Sequence, residues 1–237
     1  MEKIKLFCIP YAGGSATNYL RWKRYSDSAI EIVPIELKGR GGRSTTAFYE
    51  NFQEVVDDVY NSIKFELGKS DYALFGHSFG SMIVYEVIKK IRQAKDQDPV
   101  HVFFSGCGPP YIRKNKKLSN MSDDELKEEI FSYGGTTKEF FEDENLLKNF
   151  MPILKADIKI MESRFQAEDK DKYNFDVTIF NGVEDVEYDE KDIRQWEKCT
   201  LKKCNRYKFE GGHFFINEKT EDVLKVINNL LNSYHIN

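Results

Sequence analysis

Three kinds of residue in this chain could do chemistry together: a serine held between two glycines, a histidine that follows a glycine pair, and carboxylates that follow a third glycine. The serine is Ser78, in Gly76-His77-Ser78-Phe79-Gly80. An apolar run at 72–75 precedes it and an amphipathic stretch at 79–92 follows it, so a strand must become a helix there. In that context Gly-x-Ser-x-Gly reads as a nucleophile elbow, a strained turn that stands the hydroxyl at the carboxyl edge of a sheet. The first glycine is expected to remove a clash beneath the turn, and the second to let the helix pack close. The helix start directs partial positive charge at the serine, and the Phe79 N–H is placed to donate to a developing oxyanion. The plainer alternative, a tight turn with no chemistry, explains one glycine better than two.

A serine hydroxyl needs a base to act as a nucleophile at neutral pH. The chain has four histidines. His77 sits inside the elbow and is expected to point away from the site. His101 lies in an apolar strand-like run and reads as a packed histidine, and His235 is close to the end of the sequence. His213 remains, in Glu210-Gly211-Gly212-His213-Phe214-Phe215, a loop between the last strand and the last helix. An acid must then hold the base's tautomer. In the chain order Ser, acid, His, it should end the penultimate strand. Thr178 to Asp185 supplies a strand, a glycine turn and two adjacent carboxylates. Asp185 is preferred, Glu184 is its rival and Asp189 a more distant one. A second oxyanion donor is expected from Tyr11-Ala12-Gly13-Gly14 after the first strand, with the Ala12 N–H preferred. A phosphate or dinucleotide loop is the alternative there, but neither Gly-x-Gly-x-x-Gly nor a Walker lysine is present.

These residues need a frame. Apolar runs at 4–9, 29–35, 72–75, 100–105, 176–180 and 205–209 read as strands. Helical periodicity covers 52–67, 79–92, 190–198 and 220–234. The alternation predicts an α/β fold with a mostly parallel central sheet flanked by helices on both faces. Residues 119–165 interrupt it: they contain no convincing strand, and Ser122 and Glu125 form a capping-box pattern. Helices are expected at 138–153 and 155–165. The whole chain reads as a single domain, 1–237, with 119–165 inserted as a helical lid, and Gly134-Gly135 is its expected hinge.

The bulk properties exclude other classes. The formal net charge is -4 with Lys and Arg scattered among acids, which argues against a nucleic-acid partner. No apolar stretch approaches membrane-spanning length and no export signal is legible, so a cytoplasmic protein with reduced thiols is expected. Cys199 and Cys204 lack the partners of a metal site, and the chemistry read above needs neither metal nor cofactor.

The motifs together resemble one family. Ile9-Pro10-Tyr11-Ala12-Gly13-Gly14-Ser15, Glu36-Leu37-Lys38-Gly39-Arg40-Gly41-Gly42-Arg43 and the elbow are joined by Met121 to Leu126, Tyr133-Gly134-Gly135-Thr136, Leu154-Lys155-Ala156-Asp157, Gly182 to Asp185 with Trp196, and the His213 loop. Over almost its whole length the chain is similar to the type II thioesterases, stand-alone editing hydrolases of nonribosomal peptide and polyketide synthesis. The resemblance implies an α/β-hydrolase fold with a helical lid, a triad of Ser78, Asp185 and His213, an oxyanion hole from the Ala12 and Phe79 amides, and hydrolysis of acyl groups carried as thioesters on the phosphopantetheine arm of a carrier protein. It implies an acyl-loaded carrier protein as partner; a monomer is plausible. Two positions depart from the pattern. Phe79 stands where methionine is more usual, which is expected to narrow the acyl pocket, and Lys38 stands where proline usually precedes Gly39-Arg40. A general carboxylesterase or acyltransferase on the same fold is the competing enzyme, and a non-catalytic synthetase-docking module the competing class. Most of the aromatic residues at 131–165 are expected to pack the lid onto the core and a few to line the acyl pocket.

Overall fold

The strands expected from the sequence form one sheet. In the computed structural model, which describes residues 2–109, 111–112, 117–134, 138–164 and 172–235, they are β1 (Ile4–Ile9), β2 (Ile30–Pro34), β3 (Tyr72–His77), β4 (His101–Ser105), β5 (Asp176–Gly182) and β6 (Cys204–Phe209). The order is β2-β1-β3-β4-β5-β6 and every neighbouring pair is parallel. Because β3 and β4 are buried throughout, they read as continuous apolar runs rather than alternating ones. The edge strand β6 instead exposes Arg206, Tyr207 and Lys208, charges that discourage pairing with another sheet.

The helices are α1 (Phe52–Ile63), α2 (Phe79–Ala94), α3 (Asp123–Ser132), α4 (Lys138–Glu142), α5 (Glu144–Ser163), α6 (Glu190–Arg194), α7 (Phe215–Glu218) and α8 (Thr220–Asn232). Successive strand residues face opposite layers. Phe7 and Leu74 join the core under α1 and α2. Leu6, Cys8, Ala73 and Phe75 join the core under α8 and the 3-10 segment Ala16–Arg24. This is the parallel sheet that the alternation predicts and the α/β-hydrolase architecture that the resemblance implies.

Helix boundaries differ from expectation: the helix expected over 52–67 ends at Ile63, and the one expected over 190–198 is α-helical to Arg194 and continues as a 3-10 segment, Gln195–Cys199. Instead of breaking near 154, α5 runs unbroken through Pro152, and the break falls at Asp143, which caps α5 by accepting the Asn145 and Leu146 N–H groups. Proline removes one helical hydrogen bond, but Pro152 is exposed, so the freed carbonyl can be hydrated. Met151, Leu154 and Ile158 pack on either side of it with Leu126 and Ile130 of α3, and that burial holds the helix together. Ser122 caps α3 with the expected reciprocal bonds to Glu125. Gly134 follows α3 at φ +74 with its N–H on the Phe131 carbonyl, the usual left-handed helix terminator. Its neighbour Gly135 lies outside the described residues.

The topology dictates where a site can be. β1 has β2 on one side and β3 on the other, so the winding direction reverses there, and a crevice opens beyond the carboxyl ends of β1 and β3. All strands being parallel, the loops after β4, β5 and β6 reach the same edge.

His101, at the opposite end of the sheet, is packed as expected. Its Nε2 is 2.8 Å from Thr178 Oγ1 and its Nδ1 3.1 Å from Tyr234 Oη, while its ring stacks on Phe103. Burial, outweighing the attraction of Asp176, pushes its pKa from 6.5 down to about 4. The unfolded chain takes up this proton near 6.5 and the folded protein does not. The stabilisation is therefore complete above 6.5 and is lost as pH falls toward 4, about 2 kcal/mol of it by pH 5. Urea unfolding should show a lower midpoint at pH 5 than at pH 7, and His101→Gln should reduce that difference; an unchanged difference would exclude His101 as its source.

Candidate active site

Ser78 sits between β3 and α2 at φ 53 and ψ -116, a region that costs a non-glycine residue about 1–3 kcal/mol. The surroundings hold it there. Its N–H donates to the Ser105 carbonyl at 2.7 Å. The Ser81 hydroxyl, 2.7 Å from the Gly76 carbonyl and 3.0 Å from that of Ser105, ties the same turn to the end of β4. Both glycines are required for the reasons the sequence suggests. A Cβ on Gly76 would lie 2.3 Å from the Gly80 carbonyl oxygen, and one on Gly80 would lie 2.3 Å from that of Ile9. The turn is thus closed on itself and pressed against β1. Phe79 is the first residue of α2, so its N–H has no helical carbonyl to bond.

His213 follows β6 and is buried, and its Nδ1 lies 2.9 Å from Asp185 Oδ2. The other oxygen of Asp185 accepts the Glu187 N–H at 3.0 Å, so both carboxylate oxygens are oriented. Of the three acids weighed, Glu184 is exposed and contributes its N–H to the Gly211 carbonyl at 3.1 Å, which joins the acid loop to the histidine loop. Asp189 accepts the Asp192 N–H at the start of α6. Asp185 alone of these is brought to His213. Ser78 and His213 line one cavity, although among the described residues no hydrogen bond joins them; such bonds commonly tighten only with substrate in place.

His77 differs in part from expectation. It does not line the cavity, but its buried ring lies 5.0 Å from that of His213, with Nδ1 2.8 Å from Ser105 Oγ. Burial and the neighbouring His213 push its pKa well below the usual value, so it stays neutral. It forms the wall behind His213.

The cavity measures about 960 Å³, large enough for an extended small-molecule chain. Ser78 and His213 are polar landmarks beside Ala12 and apolar walls from Met82, Leu154, Ile158 and Met161. Of the aromatic residues expected in the lid, Tyr133, Phe140 and Phe150 line the cavity, and Tyr133 stands 5.6 Å from the His213 ring. Phe131 is half exposed and Met151 is packed among the helices; Phe165 lies outside the described residues. Phe79 does not narrow the cavity as expected. Its ring packs edge-on against Phe52, 6.0 Å away in the main core, because the first turn of α2 faces α1 there. Among the described residues no cluster of metal ligands occurs, and no helix is long and apolar enough to cross a membrane.

A family model described as "Thioesterase domain" matches residues 4–231. The chain belongs to the thioesterase family. It is 32% identical over 226 residues to the medium-chain S-acyl fatty acid synthase thioesterase of Anas platyrhynchos, covering 94% of this chain and 89% of the relative. It is 30% identical over 224 residues to the gramicidin S biosynthesis protein GrsT of Aneurinibacillus migulanus, covering 94% and 87%. Among solved structures, ClbQ from the colibactin NRPS/PKS pathway superposes with a TM-score of 0.93 at 30% identity over 99% of both chains. The RedJ thioesterase of the prodiginine pathway in Streptomyces coelicolor gives 0.88 at 26% identity over 96% and 90%. The protein is a hydrolase acting on thioesters.

Two residues around this thioesterase's site carried no local signal. Ser81 and Ser105 brace the elbow but look like ordinary serines in sequence. Tyr11, on the opening loop, accepts the Asn18 side-chain amide at 2.7 Å and packs against Phe214 beside His213. Outside the cavity, in the arginine loop at 36–43, the Lys38 N–H donates to Tyr49 Oη at 3.1 Å, a bond that a proline could not make. Arg43 holds the loop by a bidentate pair with Asp58, at 2.7 and 3.0 Å.

Proposed function

We propose that this thioesterase hydrolyses acyl groups from the phosphopantetheine thioester of carrier proteins in nonribosomal peptide or polyketide biosynthesis, clearing misacylated carriers and in some settings releasing an intermediate or product. Ser78 is the nucleophile, His213 the base, Asp185 the acid that orients it, and the Ala12 and Phe79 N–H groups the oxyanion donors. The observation that carries the reading is the buried His213–Asp185 pair at 2.9 Å in the wall of the cavity that Ser78 enters. The similarity to proteins of gramicidin S, colibactin and prodiginine biosynthesis supports the pathway class.

The chemistry follows from the arrangement. With Nδ1–H donated to Asp185, His213 presents an unprotonated Nε2 that takes the Ser78 proton as Oγ attacks the thioester carbon. The negative charge that develops on the carbonyl oxygen falls between two backbone donors. Collapse expels the phosphopantetheine sulfur, which takes the proton held on His213 and leaves as the free thiol; a thiolate is a good leaving group, so this step demands less general-acid help than expelling an amine. Water then attacks the acyl-serine, giving a proton to the neutral His213, which passes it to Ser78 Oγ as the acyl–oxygen bond breaks and the carboxylic acid leaves. Residues 119–165 act as a lid over the acyl chain. Ile160 belongs to the main core and the buried Arg164 pairs with Glu86 at 3.0 Å, so opening is carried by α3 and α4, with the end of α5 as a fixed post. The protein acts as a monomer in the cytoplasm, where a reduced thiol such as that of the buried Cys8 is stable.

A panel of carrier proteins loaded with acyl groups of different length, run beside a free oxygen ester, tests the assignment. Turnover should favour the loaded carriers in kcat/KM. Equal or better turnover of the oxygen ester would support a general carboxylesterase or acyltransferase. Failure of a fluorophosphonate probe to label Ser78 would leave a non-catalytic docking module.

A further inference from the structure

Two motifs far apart in the chain, the arginine loop and the Leu154–Asp157 segment, meet inside the protein at the opening loop. Arg40 and Asp157 form a bidentate ion pair, 2.6 Å from Nη1 to Oδ2 and 2.6 Å from Nη2 to Oδ1, and are 2% and 1% exposed. The pair also grips the backbone beside Ala12. Asp157 Oδ2 accepts the Gly13 N–H at 2.8 Å, and Arg40 Nη1 donates to the Gly14 carbonyl at 3.0 Å.

The gripped segment is a tight turn. The Gly14 N–H donates to the Tyr11 carbonyl at 2.9 Å, and Gly13 adopts φ +75, the pattern of a type II turn with glycine in its third position. The peptide that joins Ala12 to Gly13 can flip in such a turn, and the flipped form is a type I turn. A flip here would replace the Gly13 N–H with the Ala12 carbonyl and aim that oxygen at the Asp157 carboxylate. The buried carboxylate therefore permits one orientation only. A bare carboxylate so near an oxyanion site would also oppose the charge that develops there. The two guanidinium nitrogens of Arg40 neutralise it while holding the next carbonyl along.

We infer that Asp157, oriented and neutralised by Arg40, is a positioning residue for the oxyanion hole: by clamping the Gly13 N–H it sets the turn from which the Ala12 N–H is presented. This rests on the reading of Ala12 as an oxyanion donor. An oxyanion donor contributes to rate only if it is already aimed at the developing charge, since reorienting it during the reaction would consume the gain. The contact also explains why one helix from the 119–165 region must stay in place when the others move, because α5 carries the clamp.

The test uses the full-length protein. Removing one charge alone would strand the other in the interior, whereas replacing a buried pair with apolar side chains is often neutral for stability. The main variant is therefore Arg40→Met/Asp157→Leu, with Asp157→Asn as a second. The readouts are kcat and KM on a small soluble acyl thioester, the affinity for an alkyl boronic acid whose serine adduct is a tetrahedral anion, and the melting temperature. For the double variant kcat should fall about 100-fold, the scale of losing one oxyanion donor, while KM stays within about twofold. Boronate affinity should weaken by the same factor as kcat, and Asp157→Asn should shift both in the same direction. Asp58→Asn, which breaks the other ion pair of the arginine loop, should leave kcat within about twofold of wild type. Wild-type kcat and boronate affinity in a folded double variant would overturn the clamp. So would losses that merely track the folded fraction, or an equal loss in Asp58→Asn. If the wild-type protein itself neither turns over the thioester nor binds the boronate, the serine-hydrolase reading fails, and the clamp with it. If the wild type does both and the Asp157 variants match it, the clamp alone is wrong.

Discussion

Replacing Ser78 with alanine is expected to lower kcat by about four to six orders of magnitude, the scale at which serine hydrolases lose the covalent route. The protein should remain folded. The substitution removes one oxygen atom from a half-buried side chain for which no hydrogen bond is described, and alanine carries the same strain at φ 53 as serine does. The bonds that hold the elbow, from the Ser78 N–H to Ser105 and from Ser81 to Gly76, do not involve the Ser78 hydroxyl. Binding should also survive, because the cavity walls from Met82, Leu154 and Ile158 are untouched. The measurement is single-turnover hydrolysis of an acyl-loaded carrier protein, with thermal unfolding run in parallel. A variant that kept even a tenth of the wild-type rate would remove Ser78 as the nucleophile.

Asp185→Asn should cost about 10⁴-fold in kcat. The carboxylate accepts the proton on His213 Nδ1 at 2.9 Å, which leaves Nε2 free to act as base. An amide in its place can turn its NH₂ toward Nδ1 and so favour the tautomer with the proton on the wrong nitrogen. Glu184→Gln is the internal control. Its side chain is exposed, and what it contributes to the site is a backbone N–H donated to Gly211, which the substitution retains. Its kcat should stay near wild type, while the Asp185 variant should keep its KM, since the lost interaction matters after substrate is bound. Greater damage from Glu184→Gln than from Asp185→Asn would require the acid to be reassigned.

That contrast marks the limit of what was legible. The elbow could be read from five residues because strand, glycine, serine, glycine and helix constrain one another through local sterics, as the 2.3 Å clash at each glycine makes plain. His213 was legible because it follows a glycine pair after the last strand. Between Glu184 and Asp185, however, adjacent residues of like charge offer no local sign of which one turns inward. The bond from the Glu184 N–H to Gly211, a partner on another loop, decides it. His77 was expected to point away from the site. It does avoid the cavity, but as the last residue of β3 it shares a face with Phe75, and the loop after β6 closes over that face. The continuity of α5 through Pro152 was illegible for a related reason: local propensity favours a break, and packing against α3 outweighs it.

By itself, the sequence determined the alternation of strands and helices, and hence a parallel sheet whose loops gather at one edge. It also singled out the serine, the histidine and the neighbourhood of the acid proposed as the triad. Each of these rests on contacts within a few residues, where backbone geometry leaves little choice. Only the tertiary structure decided which carboxylate meets His213, what stands behind it, and that Arg40 reaches Asp157 across 117 residues to grip the turn at Gly13. Such pairings depend on where the order of strands brings distant loops together, and a pair of opposite charges far apart in a chain carries no local trace of the space they will share.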